Sequence, residues 1–348
     1  MQRKIHPYFI VLALGIISFS FVYFFEAKTA DSPLLIKGIN LEAPPRPFDG
    51  HTLNEVKAVH ADWVAVIPYA FTSIESAEIF FDGDRQWWGE KSEGVVACIE
   101  MAQKLGLNVM IKPHLWVKGQ GWAGDFMLNS EEKWLSWEKS YKKYMMTYAK
   151  IAARYKVPLL CIGTECRQVA IHRPDFWRSL IADIRHIYDG RLTYAANWDN
   201  YQNVAFWDQL DFIGIDAYFP LSDQKTPAVW QLNKDWQPHH QEIRQFSEKW
   251  DRPIIFTEYG YKSIDYATIG HWKVSPDTLE VNLDGQANAY ESIYQTFWHE
   301  PWFKGGFLWK WHISNGIKKR KHPTSFTPQG KPAMAVIEKW HRKVRLGR

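Results

Sequence analysis

The sequence predicts a single (β/α)8 barrel (TIM barrel), an α/β fold in which eight parallel strands alternate with helices. From residue 34 onward, eight short runs of apolar, β-branched or aromatic residues are typical of buried strands. Stretches with helical spacing lie between most of these runs, and repeated strand–helix alternation indicates a parallel sheet. Eight units in about 310 residues favour a closed barrel. An open doubly wound sheet is the alternative.

The predicted strands are short and follow one another along the chain. In order they are LLIKGINLE (34–42), WVAVIPYA (63–70), NVMIKPHLWV (108–117), LLCIGTEC (159–166), LTYAANW (192–198), FIGIDAYF (212–219), IIFTEYGY (254–261) and GGFLWKWH (305–312). The clearest helical patterns are EGVVACIEMAQKLG (93–106), EEKWLSWEKSYKKYMMTYAKIAARY (131–155), FWRSLIADIRHIY (176–188), QANAYESIYQTFW (286–298) and PAMAVIEKWHRKV (332–344). Three long loops follow strands, at 69–90, 116–130 and 218–236, and are expected to surround the functional site of such a barrel.

The first 30 residues form a separate segment. Arg3 and Lys4 precede residues 7–25, an apolar run of 19 residues without a charge, close to the roughly 20 residues that span a bilayer. Because the residues that follow offer a poor cleavage site, we expect an uncleaved membrane anchor (1–30) before a catalytic domain (31–348). A cleaved signal peptide is the alternative. In either case the expected location is extracytoplasmic, in the periplasm or at the cell surface.

The composition is that of a globular protein, with 348 residues of which 46% are hydrophobic and 23% charged. A formal net charge of +4 is too small to indicate a nucleic-acid partner. The basic stretch 341–348 is interpreted as a solvated helix end, with a phosphate-binding patch as the alternative. Three cysteines without zinc-like spacing argue against a disulfide framework, and we expect a monomer.

Polar or aromatic side chains stand at the carboxyl end of every predicted strand. A barrel core is mostly branched aliphatic, so agreement among eight strands indicates a site. In strand order these residues are Asn40, Glu42, Tyr69, Lys112, His114, Trp116, Glu165, Arg167, Asn197, Trp198, Asp216, Tyr218, Glu258, Tyr259, Tyr261, Trp309, Lys310, Trp311 and His312.

Two carboxylates, Glu165 in CIGTEC and Glu258 in FTEYG, each follow a threonine at the end of an apolar strand. The fourth and seventh strands of an eight-stranded barrel lie nearly opposite each other across its mouth. Cleavage of a glycosidic bond needs such a pair, because one carboxyl protonates the leaving oxygen while the other attacks the anomeric carbon or activates water. The alternative is that each glutamate only forms an ion pair with a neighbour such as Arg167, Lys262 or Lys310.

The aromatic content also indicates a carbohydrate ligand. Nineteen tryptophans and sixteen tyrosines are an unusually large number for 348 residues. Their flat apolar faces and polar edges suit the C–H faces of sugar rings. The candidates for a sugar cleft are those at strand ends and in loops, namely Trp87, Trp88, Trp116, Trp122, Trp198, Trp309 and Trp311.

Two other patterns are interpreted as unrelated to function. GQGWAG (119–124) matches the dinucleotide fingerprint, but no helix pattern opens there and no acid-ended strand follows, so a rim loop is favoured. A metal-dependent hydrolase could use His114, Asp216 and His312, yet the sequence has no H-x-H or HExxH pattern. We therefore expect neither a metal nor a cofactor.

The ordered motifs GINLE, IKPHLW, CIGTE, YAANW, GIDAYFP, FTEYGY and FLWKW, within residues 34–342, resemble glycoside hydrolase family 113, β-mannanase-like proteins of the retaining (β/α)8 clan A. The resemblance implies Glu165 as the acid/base and Glu258 as the nucleophile. It also implies that Tyr218 hydrogen-bonds the nucleophile and that Trp309 is the platform under the sugar. The other predicted substrate contacts are Asn40, Lys112, His114, Trp116, Asn197, Trp198, Tyr261 and Trp311.

One position departs from the pattern of the clan, which usually has asparagine before the acid/base; this chain has Thr164. Another donor such as Asn197 would have to contact the sugar, which leaves the sugar preference open. The predicted function is cleavage of a β-linked glycan, taken to be of the β-1,4-mannan type. The alternatives are the same mechanism on another β-glycan, or an inactive membrane-tethered glycan-binding barrel. Endo or exo action depends on whether loops 69–90 and 218–236 block one end of the cleft.

Overall fold

The computed structural model describes residues 35–270, 280–313 and 323–343. The predicted anchor at 7–25, with the rest of segment 1–30, lies outside the described residues. None of the helices in the described part of the chain has the length and apolar character that a membrane span requires.

Eight parallel strands close into a barrel, which confirms the predicted fold class. Ten strands occur in the described residues, and in chain order they are β1 (Ile36–Leu41), β2 (Trp63–Val66), β3 (Tyr69–Thr72), β4 (Asn108–Ile111), β5 (His114–Val117), β6 (Leu159–Thr164), β7 (Arg191–Asn197), β8 (Ile213–Asp216), β9 (Ile254–Tyr259) and β10 (Phe303–Trp311). Around the barrel the order is β1-β10-β9-β8-β7-β6-β4-β2. β1 closes the ring, because Ile39 pairs with Val64 on one side and Leu308 on the other.

Two predicted strands, 63–70 and 108–117, are each divided into two pieces. The break falls at Pro68 and at Pro113, since proline lacks the N–H that a central strand must donate. The pieces after the breaks, β3 and β5, form their own two-stranded parallel sheet above the barrel. His114 and Trp116 therefore lie outside the barrel wall, in this two-stranded sheet at the mouth. The sheet of β3 and β5 is called here the ledge.

The described helices surround the barrel. They are α1 (Thr52–Ala58), α2 (Ser92–Lys104), α3 (Glu131–Arg154), α4 (Arg167–His172), α5 (Pro174–Arg185), α6 (Val229–Trp250), α7 (Leu283–Phe297) and α8 (Pro332–Arg342). The prediction of a loop over 218–236 was wrong from residue 229 onward, because α6 begins at Val229. Leu232 and Trp236 are fully buried on this helix, and that apolar spacing outweighs the polar residues between them.

The core has two parts. A large apolar cluster lies between the strands and the surrounding helices. A smaller one, with Trp63, Met110 and Phe307, fills the barrel itself. Gly38 makes room for the ring of Phe307, since a Cβ there would lie 2.3 Å from a ring carbon. Residues two apart in a strand point to the same side, so Lys112 points into the barrel as Met110 does. Lys112 lies above Met110, at the mouth of the barrel.

Candidate active site

Glu258 lies at the carboxyl end of β9 and is 5% exposed. The hydroxyl of Tyr218 donates to its Oε2 at 2.6 Å. Lys112 Nζ forms an ion pair and hydrogen bond with Oε1. Both carboxylate oxygens are therefore held, which fixes the orientation of this group.

Lys112 is a fully buried cation at the centre of the mouth. Besides Glu258, it lies 3.4 Å from a carboxylate oxygen of Asp216. Burial by itself lowers the pKa of Lys112, but the negative charges of Asp216 and Glu258 outweigh this and raise it. The lysine is consequently the cation that pairs with both carboxyl groups.

Asp216 ends β8 and is also fully buried. The hydroxyl of Thr257 donates to its Oδ1 at 2.7 Å. Burial, and then the charge of Glu258, raise the pKa of Asp216, while Lys112 opposes the rise. The sequence places Asp216 at a strand end but assigns it no role other than in the metal alternative; the structure makes it part of the network around Lys112.

His114 forms one wall of the site together with Trp309. The two rings stack at a centroid distance of 5.8 Å with an interplanar angle of 4°. Tyr69 packs on the other side of the histidine at 5.2 Å. Burial and the neighbouring Lys112 lower the pKa of His114 well below its usual range, so its ring is neutral. Its Nε2, 3.2 Å from Lys112 Nζ, accepts a hydrogen bond from the ammonium.

Glu165 directly follows β6, three strands away from Glu258 around the barrel. Its backbone has a φ of 51°, in the left-handed region that a non-glycine residue adopts mainly at special sites. The indole N–H of Trp122 donates to its Oε2 at 2.5 Å. Burial, and secondly the charge of Glu258, raise the pKa of Glu165 to about 7. A carboxyl with this pKa is protonated in mildly acidic solution and can donate a proton.

Trp122 comes from the rim loop 119–124, and sequence reasoning noted it only as one of several loop tryptophans. The guanidinium of Arg167 lies over its ring, 4.9 Å from the centroid. Arg167 in turn forms ion pairs with Asp125 and Asp199. This chain of contacts holds the indole against Glu165. No sequence pattern links residues 122 and 165, so the contact could not be predicted.

The remaining residues predicted on the acid/base side have the following places. The Oδ1 of Asn197 accepts from the backbone N–H of Trp198 at 3.0 Å. Trp198 is half-buried and packs edge-on against Phe219. Thr164 is buried, and its hydroxyl donates to the carbonyl of Pro113 at 3.0 Å.

Three predicted substrate contacts are enclosed by protein. The amide nitrogen of Asn40 donates to the carbonyls of Thr257 and Phe307, so this side chain ties strands together inside the barrel. Trp311 is fully buried in the larger core cluster. Tyr261 is 5% exposed and packs on Tyr290. Trp116, by contrast, is half-exposed on the ledge.

The histidines and acids of the metal alternative do not converge. His312 is paired with Glu42, which also accepts from Lys310 at 2.7 Å. Burial alone would raise the pKa of Glu42, but the hydrogen bonds from His312 and Lys310 lower it to about 2. Within residues 35–270, 280–313 and 323–343, no group of three histidine, cysteine, aspartate or glutamate side chains is arranged to hold a metal ion.

A family model described as Glycoside Hydrolase Family 113 matches residues 49–331, most of the chain. The chain belongs to glycoside hydrolase family 113. It is therefore a glycoside hydrolase with the clan A barrel. No curated protein matches this family 113 chain.

Solved structures agree with this assignment. The GH113 β-mannanase from Alicyclobacillus acidocaldarius, in complex with ManMIm, is 26% identical in sequence, with a TM-score of 0.76. The match covers 88% of this chain and 97% of the mannanase chain. A GH113 β-1,4-mannanase is 25% identical with a TM-score of 0.75, covering 89% and 99% respectively. A β-glucuronidase from Ruminococcus gnavus, 14% identical with a TM-score of 0.60, covers 88% of this family 113 chain and 50% of its own, and shares the fold.

Proposed function

We propose that this glycoside hydrolase cleaves β-1,4-linked mannan with retention of configuration, using Glu258 as nucleophile and Glu165 as acid/base. The observation that carries the proposal is the contrast between the two carboxyl groups. Glu258 is ion-paired with Lys112, whereas the pKa of Glu165 is raised to about 7. Two carboxyl groups with divergent environments are the arrangement that this chemistry requires. The mannan assignment draws on the two β-mannanase structures described above.

The reaction proceeds in two balanced steps. In the first, Glu258 attacks the anomeric carbon and forms a glycosyl ester, while Glu165 gives its proton to the departing glycosidic oxygen. In the second, Glu165 removes a proton from water, the water oxygen attacks the anomeric carbon, and the Glu258 carboxylate leaves. Two inversions leave the product with the original β configuration. Lys112 and Tyr218 hold Glu258 in place throughout.

The sugar that reacts is placed against the wall formed by His114 and Trp309. A stacked aromatic pair offers one continuous apolar face to the C–H groups of a pyranose. The side-chain amide of the half-buried Asn197 hydrogen-bonds a hydroxyl group of the sugar. The Thr164 hydroxyl does not take this role, because it already donates to the carbonyl of Pro113. The same departure at Thr164 favours the second candidate, an identical mechanism on a different β-linked glycan.

The test is release of reducing sugar from β-mannan, glucomannan, β-glucan and xylan by the full chain, with Glu258→Ala as the blank. We expect mannan-selective release that disappears in the variant. Release from another glycan would retain the two glutamates and reject mannan. A folded protein that binds a glycan but releases nothing would overturn the enzyme mechanism in favour of a binding barrel. The anomer formed first, followed by NMR, checks retention.

A further inference from the structure

Residues 323–331, called here the closing segment, lie between β10 and α8 and are held in place by hydrogen bonds. The backbone carbonyl of Ser325 accepts from the Lys331 ammonium at 2.9 Å and from the backbone N–H of Ser263 at 3.3 Å. Lys331 also donates to the hydroxyl of Ser263 at 2.9 Å. The closing segment is therefore bonded to the residues that follow β9, the strand that carries Glu258.

Gln286, on α7, is a second anchor of the closing segment and is fully buried. Its side-chain amide donates to the carbonyl of Phe326 at 3.1 Å and to the carbonyl of Tyr261 at 2.8 Å. One side chain thus joins α7, the residues after β9 and the closing segment. A displacement of the segment would leave a buried amide without its partner, which is costly.

The other end of the closing segment is bonded to different elements. The side-chain oxygen of Gln329 accepts from the backbone N–H of His312 at 2.8 Å. Its side-chain nitrogen donates to the carbonyl of His312 at 3.2 Å and to the carboxylate of Glu55 at 3.1 Å. Bonds at both ends keep the residues between them in a defined position.

The side chain that lies between these anchors is Phe326, which is half-buried. Its ring packs edge-on against the ring of Tyr218, with centroids 6.0 Å apart and an interplanar angle of 64°. The Lys262 ammonium lies 5.7 Å from the centroid of the same phenylalanine ring. An edge-to-face contact restricts the orientation of both rings.

Tyr218 is the residue whose hydroxyl donates to Glu258 Oε2 at 2.6 Å. The hydroxyl is at the far end of the tyrosine ring, so a small rotation of the ring moves it out of line with the carboxylate. Hydrogen bonds weaken steeply when their geometry departs from linear. The contact with Phe326 consequently bears on the bond that orients Glu258.

We propose that Phe326 is a positioning residue for the nucleophile, because it holds the Tyr218 ring in the orientation that keeps the hydroxyl on Glu258. Phe326 acts through Tyr218 and not by contact with the sugar. The closing segment, with Gln286 and Lys331 as its anchors, supplies the rigid support that this role requires. This inference rests on the proposed function, in which Glu258 is the nucleophile.

The test is a double-mutant cycle in the full-length protein, measured as kcat/KM on the glycan that the wild type cleaves. Tyr218→Phe removes a hydrogen bond to a charged group and should lower kcat/KM about 10- to 100-fold. Phe326→Ala should lower it about 5- to 10-fold, mainly through kcat, in the range of couplings between contacting residues. The double variant should match Tyr218→Phe alone, because no hydroxyl remains to be positioned. Phe326→Tyr keeps the ring and should keep most of the activity.

The matched control is Phe176→Ala, which truncates another half-buried phenylalanine, on α5. Phe176 packs on Trp137 and Trp177, so its loss should reduce stability and leave kcat/KM unchanged. If Phe326→Ala folds poorly, the cycle is measured with Phe326→Leu, which should give a smaller loss that also vanishes in the Tyr218→Phe background.

Two results would overturn the positioning role of Phe326. In the first, the losses of Phe326→Ala and Tyr218→Phe multiply in the double variant, as they would if Phe326 contacted the sugar directly. In the second, Phe326→Ala behaves like the Phe176 control. If the wild type cleaves no glycan, the proposed function fails separately, and the same cycle is measured by urea unfolding. Non-additive losses of stability then support the role of Phe326, and additive losses overturn it.

Discussion

At the scale of single residues, the site depends on how each carboxyl group is solvated and paired. Glu258 is buried and forms an ion pair with Lys112. Within the described residues Glu165 forms no ion pair, and burial together with the charge of Glu258 raises its pKa although Lys112 opposes the rise. The same amino acid therefore lies in two different environments, one paired with a buried lysine and the other bonded to an indole N–H.

The Trp122 indole should set the alkaline limit of activity. Its N–H favours the ionised form of Glu165 and lowers the pKa, which burial and Glu258 raise to about 7. In the proposed mechanism Glu165 must be protonated to act as the acid, so activity should be lost as pH rises through that value. Trp122→Phe removes the donor, and the alkaline limb of the kcat/KM profile should move upward by about one pH unit. Trp116→Phe, on the exposed ledge, is the control and should leave the limb in place.

Lys112 should matter for both stability and turnover. Lys112→Met leaves two buried carboxylates without a cation, and breaking a buried pair costs about 3–5 kcal/mol of unfolding free energy. The control is Lys37→Met, because that lysine pairs with Asp62 near the surface and should lose about 1 kcal/mol or less. Urea unfolding measures both. Adding Asp216→Asn to the Lys112 variant should recover part of the loss; no recovery would contradict the counter-ion role.

At the scale of elements, the strand breaks and the docked loop shape the mouth. Pro68 and Pro113 end the barrel strands early, and the short sheet of β3 and β5 then positions Tyr69 and His114 beside Trp309. The loop after β3 lies against the segment at 44–45. The geometry of the barrel mouth is therefore built by these connections as well as by the barrel strands.

The close approach of Gly89 to Pro44 offers a test of loop docking. A Cβ at Gly89 would lie 2.2 Å from Pro44 Cδ and 2.7 Å from its backbone nitrogen, so Gly89→Ala must push the loop away. We expect a loss of about 1–3 kcal/mol in unfolding free energy, measured by urea unfolding. Gly83→Ala in the same loop meets only a side-chain atom at 3.7 Å and should not change it. An undisturbed Gly89 variant would show that docking is dispensable.

At the scale of the whole molecule, the closed barrel gathers side chains from strands that are far apart in sequence. Lys112 on one side reaches Asp216 and Glu258 on the other, across the open mouth. The larger core cluster holds the helices around the strands and fixes these separations. A rigid ring holds the two carboxyl groups at a fixed separation, as the proposed two-step mechanism requires.

The location of the protein in the cell is also a prediction at this scale. The charge-free run at 7–25 leads us to expect export with retention in the membrane. In cell fractionation, the full chain should sediment with membranes, and a variant without residues 1–30 should be found in the soluble fraction. Recovery of both chains in the soluble cytoplasm would contradict the expectation, and a shortened exported chain would indicate cleavage.

Several features followed from the sequence alone. Each strand of the barrel is a local run of apolar residues, and Glu165, Tyr218, Glu258 and Trp309 stand at strand ends that a parallel barrel must bring to one face. Local patterns of this kind determine position along an element and the end of the barrel at which a side chain emerges. The family membership was likewise evident in the order of the motifs, and the match over residues 49–331 confirms it.

Only the tertiary structure decided which of these side chains meet. Asn40, Tyr261 and Trp311 also stand at strand ends, yet they are enclosed by neighbouring strands and helices. Two contacts join segments that are distant in the chain. Trp122 hydrogen-bonds Glu165, and the loop 73–90 hydrogen-bonds the carbonyl of Pro44. Sequence patterns report the face of each element, whereas hydrogen bonds, burial and charge coupling depend on distances between elements. Those distances exist only once the ring of strands has closed.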